Sequence, residues 1–162
     1  MSTTQIEEPL VVTRDLTFDD VVVGAELPAV TVDLTPTLVI ATALATRDFE
    51  EVHHDVDVAR AAGLDNIFLN ILATNGLCQR LVIDWAGRDA IVRRSSVRLG
   101  VPALAGDQLA LTAAVTRADR TKDGPTGEVE VEVTGMVSTG RHALARITIT
   151  LPTTSNPEPD DE

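Results

Sequence analysis

Apolar and polar residues alternate along five stretches of the chain. Val30, Val32 and Leu34 alternate with Thr31, Asp33 and Thr35. Val97 and Leu99 follow, then Leu109, Leu111, Ala113 and Val115, then Val129, Val131 and Val133 set against Glu128, Glu130 and Glu132. A last run sets Ala145, Ile147, Ile149 and Leu151 against Arg146, Thr148 and Thr150. Successive side chains on a strand point to opposite faces, so each stretch predicts a strand with one apolar and one polar face. Turn-forming residues separate the last four: Gly106-Asp107, Lys122-Asp123-Gly124-Pro125 and Ser138-Thr139-Gly140. Short turns between such strands predict an antiparallel sheet.

The segment between the first strand and the others carries a different period. Residues 36–48 (PTLVIATALATRD) suit a short helix with Pro in its first turn. Residues 55–62 (DVDVARAA) suit a second, with acids at its start and Gly63 as its stop. Residues 67–85 (IFLNILATNGLCQRLVIDW) form the longest helix candidate, closed by Ala86-Gly87. Its polar residues Asn70, Thr74, Asn75 and Gln79 are spread around the helical wheel, and a helix apolar on nearly every side is a buried one. An apolar sheet face needs a cover, and this helix alone can supply it. The expected fold is α+β: one antiparallel sheet of about five strands wrapped around one long buried helix.

With 162 residues the chain suits one domain, expected over 14–151. Residues 1–13 show no sustained apolar period and read as a mobile segment. Residues 152–162 (PTTSNPEPDDE) have three prolines and four acids and read as a disordered acidic tail. Aromatic residues are only 2%, so the core must be built from Val, Leu, Ile and Ala. The formal net charge of −12 repels phosphate backbones and anionic lipid, which argues against nucleic-acid and membrane-surface partners. The charge-free apolar stretch 34–46 holds four Thr and a Pro and falls short of the roughly 20 apolar residues of a membrane span. The acidic N-terminus is unlike a secretion signal, and a single cysteine, Cys78, allows no internal disulfide; both fit a cytoplasmic location.

Few side chains suit acid–base chemistry. Two of three histidines lie in RDFEEVHHD, 47–55. Asp48 and His53 are five residues apart, about 140° on a helix, so they converge only if the chain leaves the helix and loops back. On spacing alone, a capping Asp beside a surface His explains the pair as well. His54 reads as an exposed loop residue, HHD is too small a set for a metal site, and Cys78 reads as core packing. Thr74 and Asn75 read equally as ligand-facing or as internally bonded core residues. Residues 80–100 contain five Arg against two Asp, a local charge of +3 in a chain of −12. Arg93, Arg94 and Arg98 could therefore hold phosphates, or could simply form a solvated strand face.

The Asp, four residues, His order, followed by a short Ala-rich helix ending at Gly63 and a long helix from Ile67 onward, resembles the hydratase signature of MaoC-like dehydratases, a hot-dog fold family. The resemblance covers about residues 25–151. With ATALATRDFEEVHHD (41–55), NILATNGL (70–77), DWAG (84–87) and RLGVP (98–102), it narrows to the small catalytic subunit of two-subunit enoyl-CoA hydratases that act on steroid side chains in actinobacterial cholesterol degradation. The family's His-Gly at the helix start is replaced by Leu69-Asn70, and its Asn-Pro within the signature by Glu50-Glu51.

The resemblance implies addition of water across a trans-2-enoyl-CoA to give a 3-hydroxyacyl-CoA, with Asp48 and His53 handling the protons around one water. It leaves open which of them is the base. It implies an oxyanion and substrate site at the start of the long helix, around Asn70, Ile71 and Asn75; the basic window makes Arg93, Arg94 and Arg98 the candidates for the CoA phosphates. No metal and no cofactor is expected, the CoA thioester being the substrate. The implied partner is a second MaoC-like subunit in a heterodimer or heterotetramer, with a thiolase-like aldolase recruited through it. The alternatives are a self-sufficient (R)-specific enoyl-CoA hydratase, a hydroxyacyl-carrier-protein dehydratase on linear chains, a thioesterase and a non-catalytic acyl-CoA-binding subunit.

Overall fold

The computed structural model describes residues 15–121 and 124–154. The expected segment 1–13, most of the acidic tail and two residues of the turn at 122–125 lie outside that range. Strand β1 (Val30–Asp33) leads into helix α1 (Pro36–Ala45), a 3-10 turn (Glu51–His53), α2 (Val56–Ala61) and the long helix α3 (Ile71–Ala86). Four strands follow: β2 (Ile91–Leu99), β3 (Gln108–Arg120), β4 (Thr126–Val137) and β5 (Gly140–Pro152). They form one five-stranded antiparallel sheet in the order β1-β3-β4-β5-β2. This is the expected α+β arrangement.

The alternation decides which face is buried. Leu109, Leu111 and Val115 of β3, Val129, Val131 and Val133 of β4, and Ala145, Ile147 and Ile149 of β5 are all buried. The polar partners between them face away. Each such aliphatic side chain contributes about 1.5–3 kcal/mol relative to an exposed one. Helix α3 covers that face with Ala73, Cys78, Leu81, Val82 and Ala86, mostly small residues that let the helix lie close to the sheet.

Four expectations change. Helix α3 begins at Ile71, not 67, because 67–69 pair with 103–105 as a short extended ladder: Leu69 N–H donates to Ala103 O at 2.9 Å and Ala105 N–H to Ile67 O at 2.8 Å. The helix is buried on one side only; Ile71 and Leu72 on its first turn are 47% and 51% exposed. The boundary at 152 also moves, since β5 includes Pro152, Thr153 N–H donates to Pro125 O and Thr154 donates to Asp19. Strand β2 starts at Ile91, earlier than the alternation indicates, because a bulge at Arg93 interrupts the period.

Candidate active site

The end of α1 supplies the reversal that Asp48 and His53 need. Thr46 caps the helix, and Arg47 then adopts the left-handed conformation at φ 57°. Arg47 N–H donates to Leu44 O at 3.0 Å and Asp48 N–H to Ala43 O at 2.9 Å, the paired bonds of a Schellman ending. Asp48 is thereby turned out of the helix, and the Glu51–His53 turn folds the chain back. Glycine is the usual residue at this position. Arg47→Gly is expected to raise stability by about 0.5–1 kcal/mol and Arg47→Val to lower it by about 1 kcal/mol in thermal denaturation.

His53 is 7% exposed, its ring edge-on to Phe68 with centroids 4.6 Å apart. Its Nδ1 lies 2.9 Å from Phe68 O, an atom that only accepts, so Nδ1 carries the proton. This leaves Nε2 facing Asp48 Oδ2 at 3.4 Å. In the neutral ring both atoms are acceptors, and a water donating one hydrogen to each would satisfy them together.

Asn70, 3% exposed, holds the carboxylate from the other side. Its Oδ1 caps α3 by accepting Ala73 N–H at 2.7 Å, while its Nδ2 donates to Asp48 Oδ2 and Thr46 Oγ1, each at 2.9 Å. The backbone of Asn70 (φ −77°, ψ 165°) is ordinary extended chain, so an Asn in place of the family's Gly brings no backbone strain. The amides of Ile71 and Leu72 begin the helix, with no carbonyl one turn earlier in it to bind, and they carry the positive end of its dipole.

Asp48, His53, Asn70 and the backbone of Ile71 are thus brought together. Asn75 is not: five residues beyond Asn70, it faces β2, where its Oδ1 accepts the Ser95 hydroxyl at 2.6 Å. Arg94 and Arg98 lie on the sheet face opposite α3, and Arg93 sits at the β2 bulge with its Nε donating to Thr150 Oγ1 at 3.1 Å. Of the other two basic residues of that window, Arg80 pairs with Asp84 and Arg88 with Asp15. His54 is exposed. Among the described residues no three His, Cys, Asp or Glu side chains gather as a metal site, and no helix is long and apolar enough to cross a membrane.

Cys78 is buried, which pushes its thiol up to about 11. It is expected to resist a thiol reagent at pH 8 until the chain is unfolded. The sign follows from ionisation: from about pH 9, where an exposed thiol ionises, stability falls as pH rises towards 11.

A cavity of about 220 Å³ opens between β1, α1 and α3, lined by Val30, Val32, Leu38, Leu77, Leu81 and Leu111, with Arg80 and Asp84 at its rim. Leu77 is seven residues from Asn70, nearly two full turns, so it shares the helix face of Asn70 about 10 Å along the axis. The sequence pattern did not single out this cavity, because its lining comes from four elements, β1, α1, α3 and β3, whose contact only the fold creates. Four exposed apolar residues stand close in sequence to Asp48 or to Asn70: Leu44 and Phe49, and Ile71 and Leu72.

Residues 20–137 match the family model described as MaoC like domain. The chain is 42% identical over 130 residues, 80% of its length and 96% of the relative's, to the 3-oxo-4,17-pregnadiene-20-carboxyl-CoA hydratase beta subunit of Mycobacterium tuberculosis. A chain in the crystal structure of the ChsH1-ChsH2 complex from the same organism matches with a TM-score of 0.74 at 43% identity, covering 80% of this chain and 98% of that one. The R-hydratase PhaJ1 of Pseudomonas aeruginosa shares the fold, with a TM-score of 0.74 at 15% identity, over 91% of this chain and 97% of that one. The match across most of the sheet and the whole Asp48–His53 segment makes this chain a member of the MaoC-like dehydratase family, with its hot-dog fold.

Proposed function

We propose that this chain is the catalytic subunit of an enoyl-CoA hydratase that adds water across a trans-2-enoyl-CoA carried on a steroid side chain. The observation that carries the reading is the 3.4 Å approach of Asp48 Oδ2 and His53 Nε2 beside the first turn of α3. A water held between those two acceptors keeps a lone pair free for C3 of the substrate. As the C3–O bond forms, one of the two takes a proton from the water and that proton is delivered to C2, so that one H and one OH are added in all. Negative charge passing to the thioester oxygen meets the Ile71 and Leu72 amides and the helix dipole. The reaction consumes only water and the thioester.

The substrate class is supported by the 42% identity to a pregnadiene-carboxyl-CoA hydratase subunit and by the apolar cavity about 10 Å along the same helix face from Asn70, which suits a bulky apolar acyl group. For the CoA phosphates the proposal keeps Arg93, Arg94 and Arg98, on an outer strand that a second subunit can adjoin. That subunit is a second MaoC-like chain. Exposed Phe49 and Leu72, next in sequence to Asp48 and in the first turn of α3, are too apolar to be left in water beside a reactive site and suit a subunit contact. Phe49→Asp with Leu72→Asp is expected to abolish co-elution with the partner in size-exclusion chromatography, while circular dichroism stays unchanged.

Mass spectrometry of products from a panel of linear and steroid enoyl-CoAs, with and without the coexpressed partner, tests the proposal. A 3-hydroxyacyl-CoA from steroid substrates that requires the partner supports it. Full activity of the chain alone on linear substrates would instead indicate a self-sufficient hydratase.

A further inference from the structure

We propose that Thr74 and His142 are positioning residues: a buried relay from the sheet that fixes the backbone of the Asn70 cap and, through it, the side chain that holds the Asp48 carboxylate. The inference rests on the catalytic reading of Asp48.

His142 reaches the interior through a β-bulge. Gly135 of β4 pairs with Ala143 and Met136 with Arg141, so residue 142 is the extra one in β5. By simple alternation it would share the outer face with Leu144 and Arg146; the bulge turns it inward, where it is 1% exposed. The bulge is held on its other flank, where Gly100 N–H donates to His142 O at 2.8 Å and Val101 N–H to Arg141 O at 3.1 Å. A side chain at Gly100 would meet Arg141 O at 2.3 Å, so this approach requires glycine.

From there polar contacts lead to the backbone of the Asn70 cap. His142 Nδ1 lies 2.8 Å from Val101 O and therefore carries a proton. Its Nε2 lies 2.9 Å from Thr74 Oγ1, whose one hydrogen is shared between that nitrogen and Asn70 O at 3.0 Å, the carbonyl that also accepts Thr74 N–H at 3.0 Å. Asn70 then holds Asp48 Oδ2 at 2.9 Å. Thr74 is fully buried, and no buried side-chain polar atom among the described residues lacks a partner. Packing alone does not call for this arrangement. The surrounding core is aliphatic, and a Val and a Leu would fill the same space without burying an imidazole and a hydroxyl. The relay instead ties the first turn of α3 to β5, so the cap that grips Asp48 cannot turn about the helix axis.

The test uses the active enzyme, with its partner subunit if activity requires one. Thr74→Val keeps the shape and removes the hydroxyl; Thr74→Ser keeps the hydroxyl. Thr74→Val is expected to lower kcat by about 10- to 100-fold with KM within about two-fold, and Thr74→Ser to stay within about two-fold of the parent. His142→Gln is expected to fall as Thr74→Val does and stands in for it should that variant not fold. In an Asp48→Asn background, measured by single turnover, Thr74→Val is expected to add nothing, because its effect passes through the missing carboxylate. Parental kcat in Thr74→Val or His142→Gln, an equal loss in Thr74→Ser, or a full additional loss on top of Asp48→Asn would overturn the relay. Parental activity in Asp48→Asn itself would instead remove the catalytic reading beneath it.

Discussion

Turnover on an enoyl-CoA is expected to fall by about 10²- to 10⁴-fold in Asp48→Asn and in His53→Ala, with the circular dichroism spectrum unchanged. The amide introduced by Asp48→Asn would keep the size of the side chain and could still accept from Asn70, but its NH₂ would donate where the water also donates. The water would lose one of its two acceptors and the site one of its two proton carriers. His53→Ala removes the other acceptor and empties the space beside Phe68. Neither change touches the sheet core, so the loss should appear in the rate and not in the fold. The two losses should not add in the double variant, since the groups act on one water.

Leu69→Ala is expected to cost about 2–5 kcal/mol of stability, read by chemical denaturation. Leu69 is fully buried, and its N–H ties the residue before the cap to Ala103. Truncation leaves a cavity under the start of α3, where Asn70 must hold both the helix and Asp48. Leu69→Met, which conserves volume, should cost less than about 1.5 kcal/mol. A similar loss in both variants would show that volume at this site is not what matters.

The sheet was legible because one of its faces meets water. Glu128, Glu130 and Glu132 against Val129, Val131 and Val133 leave only one way for β4 to face. Legibility stops where a local departure breaks the period. The bulge at Arg93 hides the first half of β2, and the bulge at residue 142 hides the inward turn of His142, which in the sequence is only the third histidine. Asn70 sits inside an apolar run and reads there as a polar residue within a helix, whereas it is the cap that begins one. The approach of Asp48 to His53 depends on a left-handed Arg47, a conformation that the residue type does not announce. The resemblance to MaoC-like dehydratases supplied the candidate pair; the fold supplied Asn70 as the group that orients it, and it separated Asn75 and the β2 arginines from the pair.

The most direct measurement is single-turnover mass spectrometry of a steroid enoyl-CoA with the enzyme and its partner in ¹⁸O-labelled water. The account predicts a 3-hydroxyacyl-CoA carrying one ¹⁸O from the parent enzyme and nearly none, on the same timescale, from Asp48→Asn or His53→Ala. Label appearing at the parental rate in either variant, or label in a free acid with release of the CoA thiol, would contradict it.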